Sequence, residues 1–121
     1  MIRRLFATLL LSALGLSAQN GAWLARVPAH DRSRANPLEP TPAATAAGAK
    51  LFHQNCASCH GSQAQGHGRK PSLHSARVHT ATDGELFWLL TNGSLRNGMP
   101  SWSRLPEAER WQIVTFLKSL N

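Results

Sequence analysis

Both cysteines of this 121-residue chain lie in one heptapeptide, Asn55-Cys56-Ala57-Ser58-Cys59-His60-Gly61, two residues apart and followed at once by histidine. Two thiols and an imidazole so close together suit three chemistries: a covalently attached haem, a zinc site, or a redox-active disulfide. Each of the three demands different surroundings, so the rest of the chain decides between them.

The chain is long enough for one domain at most. It has only three Val (Val27, Val78, Val114) and two Ile (Ile2, Ile113), too few β-branched aliphatics for a large sheet. Helical signals are stronger. Ala43–Asn55, rich in helix formers, runs straight into the cysteine motif. Thr82 and Glu85 stand at capping-box spacing ahead of Leu86, Phe87, Leu89 and Leu90, and Asn92-Gly93 supplies the stop. Pro106 opens a last helix with Glu107 and Glu109 in its first turn. Ile113, Val114, Leu117 and Leu120 form its apolar stripe, widened by Trp111. Between these helices, 61–81 and 94–104 read as long loops. The expectation is an all-α fold of three main helices and two long loops. Helices this short bury little alone, and a large apolar cofactor at the centre would organise both loops.

Three segments are expected. Residues 1–23 read as a signal peptide or an uncleaved membrane anchor. Arg3 and Arg4 precede Leu5–Ala18, an apolar run of 14 residues, short of the ~20 that span a bilayer. The anchor reading extends the run through Val27, with Trp23 as an interfacial residue. Residues 24–42 hold four of the seven prolines and read as a semi-rigid spacer rather than a packed element. Residues 43–121 form the domain. Either N-terminal reading places it outside the cytoplasm, in the periplasm or tethered to the inner membrane.

Zinc finds a formal match, since Cys59 is followed by fourteen intervening residues and then His74-x4-His79. A Cys2His2 module needs those histidines on one helix, however, and Pro71 and the glycines of 61–68 interrupt it. A catalytic disulfide sits at a helix start beside a sheet, and no strands are expected. Covalent haem explains more: Cys-x-x-Cys-His offers Cys56 and Cys59 for two thioether bonds and His60 as an iron ligand. The sixth ligand is then Met99, the one methionine besides the initiator. It lies in a Gly/Pro loop, Asn97-Gly98-Met99-Pro100, rather than on a core stripe. A thioether opposite histidine favours ferrous iron and raises the potential.

Together these residues resemble the class I c-type cytochromes, the small bacterial monohaem kind, over about 43–121. "AGAKLFHQNCASCHG" is similar to that family's first helix and haem motif, with Gly48 and Phe52 at the positions that pack on the C-terminal helix, here against Trp111 and Phe116. "NGSLRNGMPSW" resembles its methionine loop. The resemblance implies one covalent haem c with its iron, and gives Pro71 the role of accepting a hydrogen bond from His60. The family often has glycine where Lys70 stands. Trp102 and Arg104 are candidates for holding a haem propionate, as are Arg69 and Arg77. With no tyrosine in the chain, Asn92 and Asn97 are candidates for a bond to the methionine sulfur. His53, His67, His74 and His79 are expected to be exposed rather than ligands.

The function expected is one-electron transfer, Fe(II)/Fe(III), by a carrier rather than an enzyme, free or tethered as a subunit of a dehydrogenase or oxidase. No catalytic residue is assigned, because no carboxylate–histidine constellation is evident. The rival is a haem enzyme or gas sensor with a displaceable methionine. The formal charge is +7 overall; from Ala43 onward eight basic residues face four acidic ones. That suits redox partners with acidic docking surfaces. No basic run interleaved with aromatics points to nucleic acid, and a monomer is expected.

Overall fold

The computed structural model describes residues 19–120. The apolar segment read as a signal or anchor core, residues 1–18, lies outside them. Six α-helices follow in chain order: α1 Ala29–Arg32, α2 Pro42–Asn55, α3 Ala57–His60, α4 Ala76–Thr80, α5 Asp83–Asn92 and α6 Glu107–Ser119. Short 3-10 turns occupy Gln19–Arg26 and Leu95–Asn97. No strands form among the described residues, only two isolated bridges, His67 with Lys70 and Ser94 with Met99.

The three long helices start where local chemistry says they should. The Thr41 hydroxyl caps α2 by accepting from the Ala44 amide at 3.1 Å, with Pro42 in the first turn, where no donor is needed. The capping box of α5 is complete: the Glu85 amide donates to the Thr82 hydroxyl at 3.1 Å and the Thr82 amide donates to Glu85 Oε1 at 2.9 Å. Gly93 ends α5 at a positive φ of 70°. Pro106 precedes α6, whose first turn carries Glu107 and Glu109.

The core is the crossing of α2 and α6, closed on one side by α5. A Cβ at Gly48 would run into the Gln112 carbonyl oxygen, so only glycine lets the two backbones approach this closely. Phe52 is 1 % exposed, its ring 5.2 Å from that of Phe116. Trp111, at 2 % exposure, stacks on Phe87 of α5 with centroids 3.9 Å apart. Removing a side chain of this size from water contributes about 2 kcal/mol or more. Trp111, Phe52, Ile113 and Val114 are the largest fully buried side chains.

Residues 24–42 correct the expectation of a free spacer. The chain from the first 3-10 turn to α2 is a strap laid across α5 and α6. Trp23 and Val27 are buried in the core. The Arg34 guanidinium lies 4.7 Å from the Phe87 ring centroid and 5.3 Å from that of Trp111, and donates to Glu107 at 2.8 Å. Asn36 Nδ2 donates to the Thr115 hydroxyl at 2.9 Å. A Cβ at Gly84 would strike the Asp31 carbonyl oxygen, so strap and α5 touch backbone to backbone. Prolines remove donors and extend the chain, but an extended chain can still lay its side chains on helix faces. Trp23 is likewise a protein contact rather than a membrane-interface residue. No helix among the described residues is long and apolar enough to cross a membrane.

A smaller difference concerns 61–81, which is not loop throughout. Its last part folds into α4, which has one buried side chain, Val78, and is held at its C-terminus by Lys118 Nζ on the His79 and Ala81 carbonyls, both at 2.7 Å.

Candidate functional site: a cysteine–histidine turn facing a methionine hairpin

Cys56 is a joint between two helices. Its amide closes α2 on the Phe52 carbonyl at 2.7 Å, and its own carbonyl accepts from Cys59 at 3.2 Å and His60 at 2.9 Å. The helix axis breaks at its φ of −118°, and α3 is a single turn that ends at Gly61, φ +87°. One helical turn places residues three and four apart on the same face. Cys56, Cys59 and His60 therefore share a side, which is the physical content of the spacing. The two thiols are free and half-buried.

His60 is held from behind. Its Nδ1 lies 3.3 Å from the Pro71 carbonyl oxygen. A carbonyl only accepts, so Nδ1 carries the proton and Nε2 keeps its lone pair. Burial, and then the charges of Lys70 and His67, push the imidazolium equilibrium below its ordinary value, although the Pro71 bond works the other way. The result is a neutral imidazole with Nε2 free, the form that ligates metals. Lys70, where the family often has glycine, causes no strain, because the positive φ angles fall on Gly66 (72°) and Gly68 (59°). His67 and Lys70 then bond to each other through their backbones at 3.0 and 3.1 Å. Sequence reasoning missed Ala64, fully buried at a φ of +57°, whose carbonyl accepts from Leu73 at 2.9 Å and ties the loop to the end of α3. Nothing in an alanine's identity announces a left-handed backbone.

Met99 stands on a hairpin. The Ser94 amide donates to the Met99 carbonyl at 2.9 Å, and the Met99 amide donates to the Ser94 carbonyl at 3.1 Å. Gly98 turns the chain at a φ of +78°. Asn92 and Asn97 are spent elsewhere than on the methionine sulfur: Asn92 Nδ2 donates to the Trp88 carbonyl at 2.9 Å and Asn97 Nδ2 to the Ser94 hydroxyl at 2.8 Å. Trp102 bonds by its amide to the Leu90 carbonyl at 2.8 Å, and the Arg104 guanidinium covers its ring at 4.3 Å.

Zinc loses its ligand set. His74 Nε2 is 2.7 Å from the Gln63 carbonyl oxygen, and no group of three or more His, Cys, Asp or Glu among the described residues is placed to hold a metal ion. Of the other histidines, His53 and His67 are exposed, whereas His79 is half-buried on α4.

The residues present fit a covalent haem. Two thiols and an imidazole share one helical turn, the imidazole is in its ligating form, and Cys56, Leu73, Met99 and Trp102 are apolar groups that the protein covers only in part. Burial and the neighbouring Cys59 charge push the Cys56 thiol up to about 11, so this site stabilises an uncharged sulfur. Fold and site together define a small monohaem c-type cytochrome. The chain belongs to the family described as cytochrome C oxidase, cbb3-type, subunit III, whose model matches residues 43–117. Among solved structures it is similar to cytochrome CL of the marine methylotrophic bacterium Methylophaga aminisulfidivorans, with 28 % identity and a TM-score of 0.57. That likeness covers 69 % of this chain and 55 % of the other, so this chain spans about half the length of that relative. A comparison with curated proteins finds no match. Covalent haem c with its iron is the family's cofactor and electron transfer its chemistry.

Proposed function

We propose that the protein is a one-electron carrier of an extracytoplasmic chain, with iron held between His60 and Met99. When bound, haem c supplies the Fe(II)/Fe(III) couple. Cys56 and Cys59 anchor it through thioethers. His60 presents Nε2 while Pro71 fixes the ring and raises its basicity. Met99 presents its sulfur from the Ser94–Met99 hairpin, and Trp102 with Arg104 offers a propionate partner. Cys56 and Cys59 would hold the group on the side of α3, and the net positive charge favours brief docking on acidic partners. The electron-transfer chemistry of the family favours a carrier over an enzyme. The family's name and the N-terminal apolar run suit a subunit tethered to an oxidase or dehydrogenase.

The observation that carries this reading is the His60 ring held by its Nδ1 on the Pro71 carbonyl. Met99→Ala tests it. The variant should lose the high potential of the parent and begin to bind carbon monoxide. If the parent already binds carbon monoxide and the variant changes little, the iron is open and the gas-sensor or enzyme reading replaces this one.

A further inference from the structure

The N-terminal 3-10 turn and the methionine hairpin enclose a cavity of about 660 Å³, lined by Ala22, Trp23 and Arg26 on one side and Ser94, Arg96 and Asn97 on the other. Trp23 and Ser94 are buried and fix the walls. None of the lining residues is acidic. Arg26 and Arg96 have no hydrogen-bond or ion-pair partner among the described residues. Two guanidinium groups lining one cavity with no acidic neighbour there make it a place that favours an anion. Their planar forks match a carboxylate. A third guanidinium, that of Arg77 on α4, packs against Gly21 of the same turn.

The geometry points to a carboxylate site in this cavity, held by Arg26 and Arg96, whose ligand is a propionate of the protein's own haem. The inference rests on the reading that Met99 ligates the iron. Ser94 pairs directly with Met99 through both of their backbone bonds, so the cavity wall and the axial sulfur belong to one hairpin. A porphyrin whose iron meets Met99 extends beyond a single strand pair, and its propionates are its only charged substituents. There are two of them, so the cavity adds to Trp102 and Arg104 rather than replacing them. The N-terminal strap, which precedes the residues matched by the family model, thereby becomes part of the cofactor's site.

The test uses the full haem-loaded chain, grown with carboxyl-13C-labelled 5-aminolaevulinate so that the propionates carry the label. Redox-difference infrared spectra then report the label-sensitive carboxylate bands. These bands should shift in R26Q and in R96Q, and further in the double variant. They should shift less in R26K, which keeps the charge and loses the fork, and stay in place in K50Q, at an exposed position on α2. Unmoved bands in R26Q/R96Q, with a visible spectrum still indifferent to carbon monoxide, overturn the proposal alone. Unmoved bands together with a changed salt dependence of electron transfer also overturn it, and assign the arginines to a partner's carboxylates. A parent spectrum that responds to carbon monoxide strikes the His60/Met99 reading beneath it.

Discussion

The α2–α6 crossing and the cysteine–methionine face are built on opposite plans. At the crossing the protein completes its own packing: Gly48 admits the Gln112 backbone, and Phe52, Trp111, Ile113 and Val114 are almost wholly covered. At the other face, a few hydrogen bonds at Pro71, Ala64 and Ser94 hold loops whose apolar groups the protein covers only in part. In the proposed carrier the first region carries the fold's stability and the second the iron chemistry, so substitutions should separate the two.

The largest effect belongs to the crossing. Trp111→Ala removes a fully buried ring and the stack on Phe87, and should cost ~4 kcal/mol in chemical denaturation. The visible spectrum of the surviving folded protein should stay as in the parent. A changed spectrum at intact stability would break the comparison. Arg34→Ala tests the strap. It removes two cation–π contacts worth about 0.5–1 kcal/mol each and an exposed ion pair worth less, so a loss of ~1–2 kcal/mol is expected. No loss would mean that the strap lies on the helices without bracing them.

At the other face the readout changes from stability to potential. Pro71→Ala, by loosening the carbonyl that holds His60 Nδ1, should raise the reduction potential by up to ~40 mV. That is one hydrogen bond of about 1 kcal/mol in a one-electron couple of 59 mV per decade. The sign follows from basicity: a weaker bond to Nδ1 makes His60 a poorer donor to Fe(III). A lower potential in voltammetry would contradict the role given to Pro71. The smallest effect concerns the thiol before haem attachment. Burial, with the Cys59 charge second, lifts Cys56 from about 9 to about 11. The thiol form is therefore favoured by folding, a contribution complete below pH 9 and lost as pH rises through 11. Alkylation of Cys56 in the haem-free Cys59→Ser chain should stay slow at pH 9 and accelerate only well above it. Reaction as fast as a free peptide thiol at pH 9 would place Cys56 in open solvent.

What the sequence revealed, it revealed through local chemistry. The Thr82–Glu85 box and the Pro106 start of α6 are each settled within a few residues. Cys56, Cys59 and Met99 stood out because the chain has only two cysteines and two methionines. The Pro71 carbonyl came only through family resemblance, and spacing alone would not have supplied it. The strap was illegible for a different reason. Prolines 28, 37, 40 and 42 report an extended backbone but say nothing of what lies beneath it. Arg34 finds Phe87 and Trp111 far along the chain, and no short-range pattern encodes that meeting. α4 was hidden because its five residues hold too little periodicity to stand out from the glycines before it.

The most direct test of the central claim is the visible spectrum of the ferrous protein, produced with a cytochrome c maturation system, with and without carbon monoxide. The account predicts a covalent haem c spectrum that carbon monoxide leaves unchanged, since the proposed carrier has both His60 and Met99 as iron ligands. A haem spectrum that shifts on adding the gas would contradict the closed site, and the absence of any covalent haem would contradict the reading of Cys56 and Cys59 themselves.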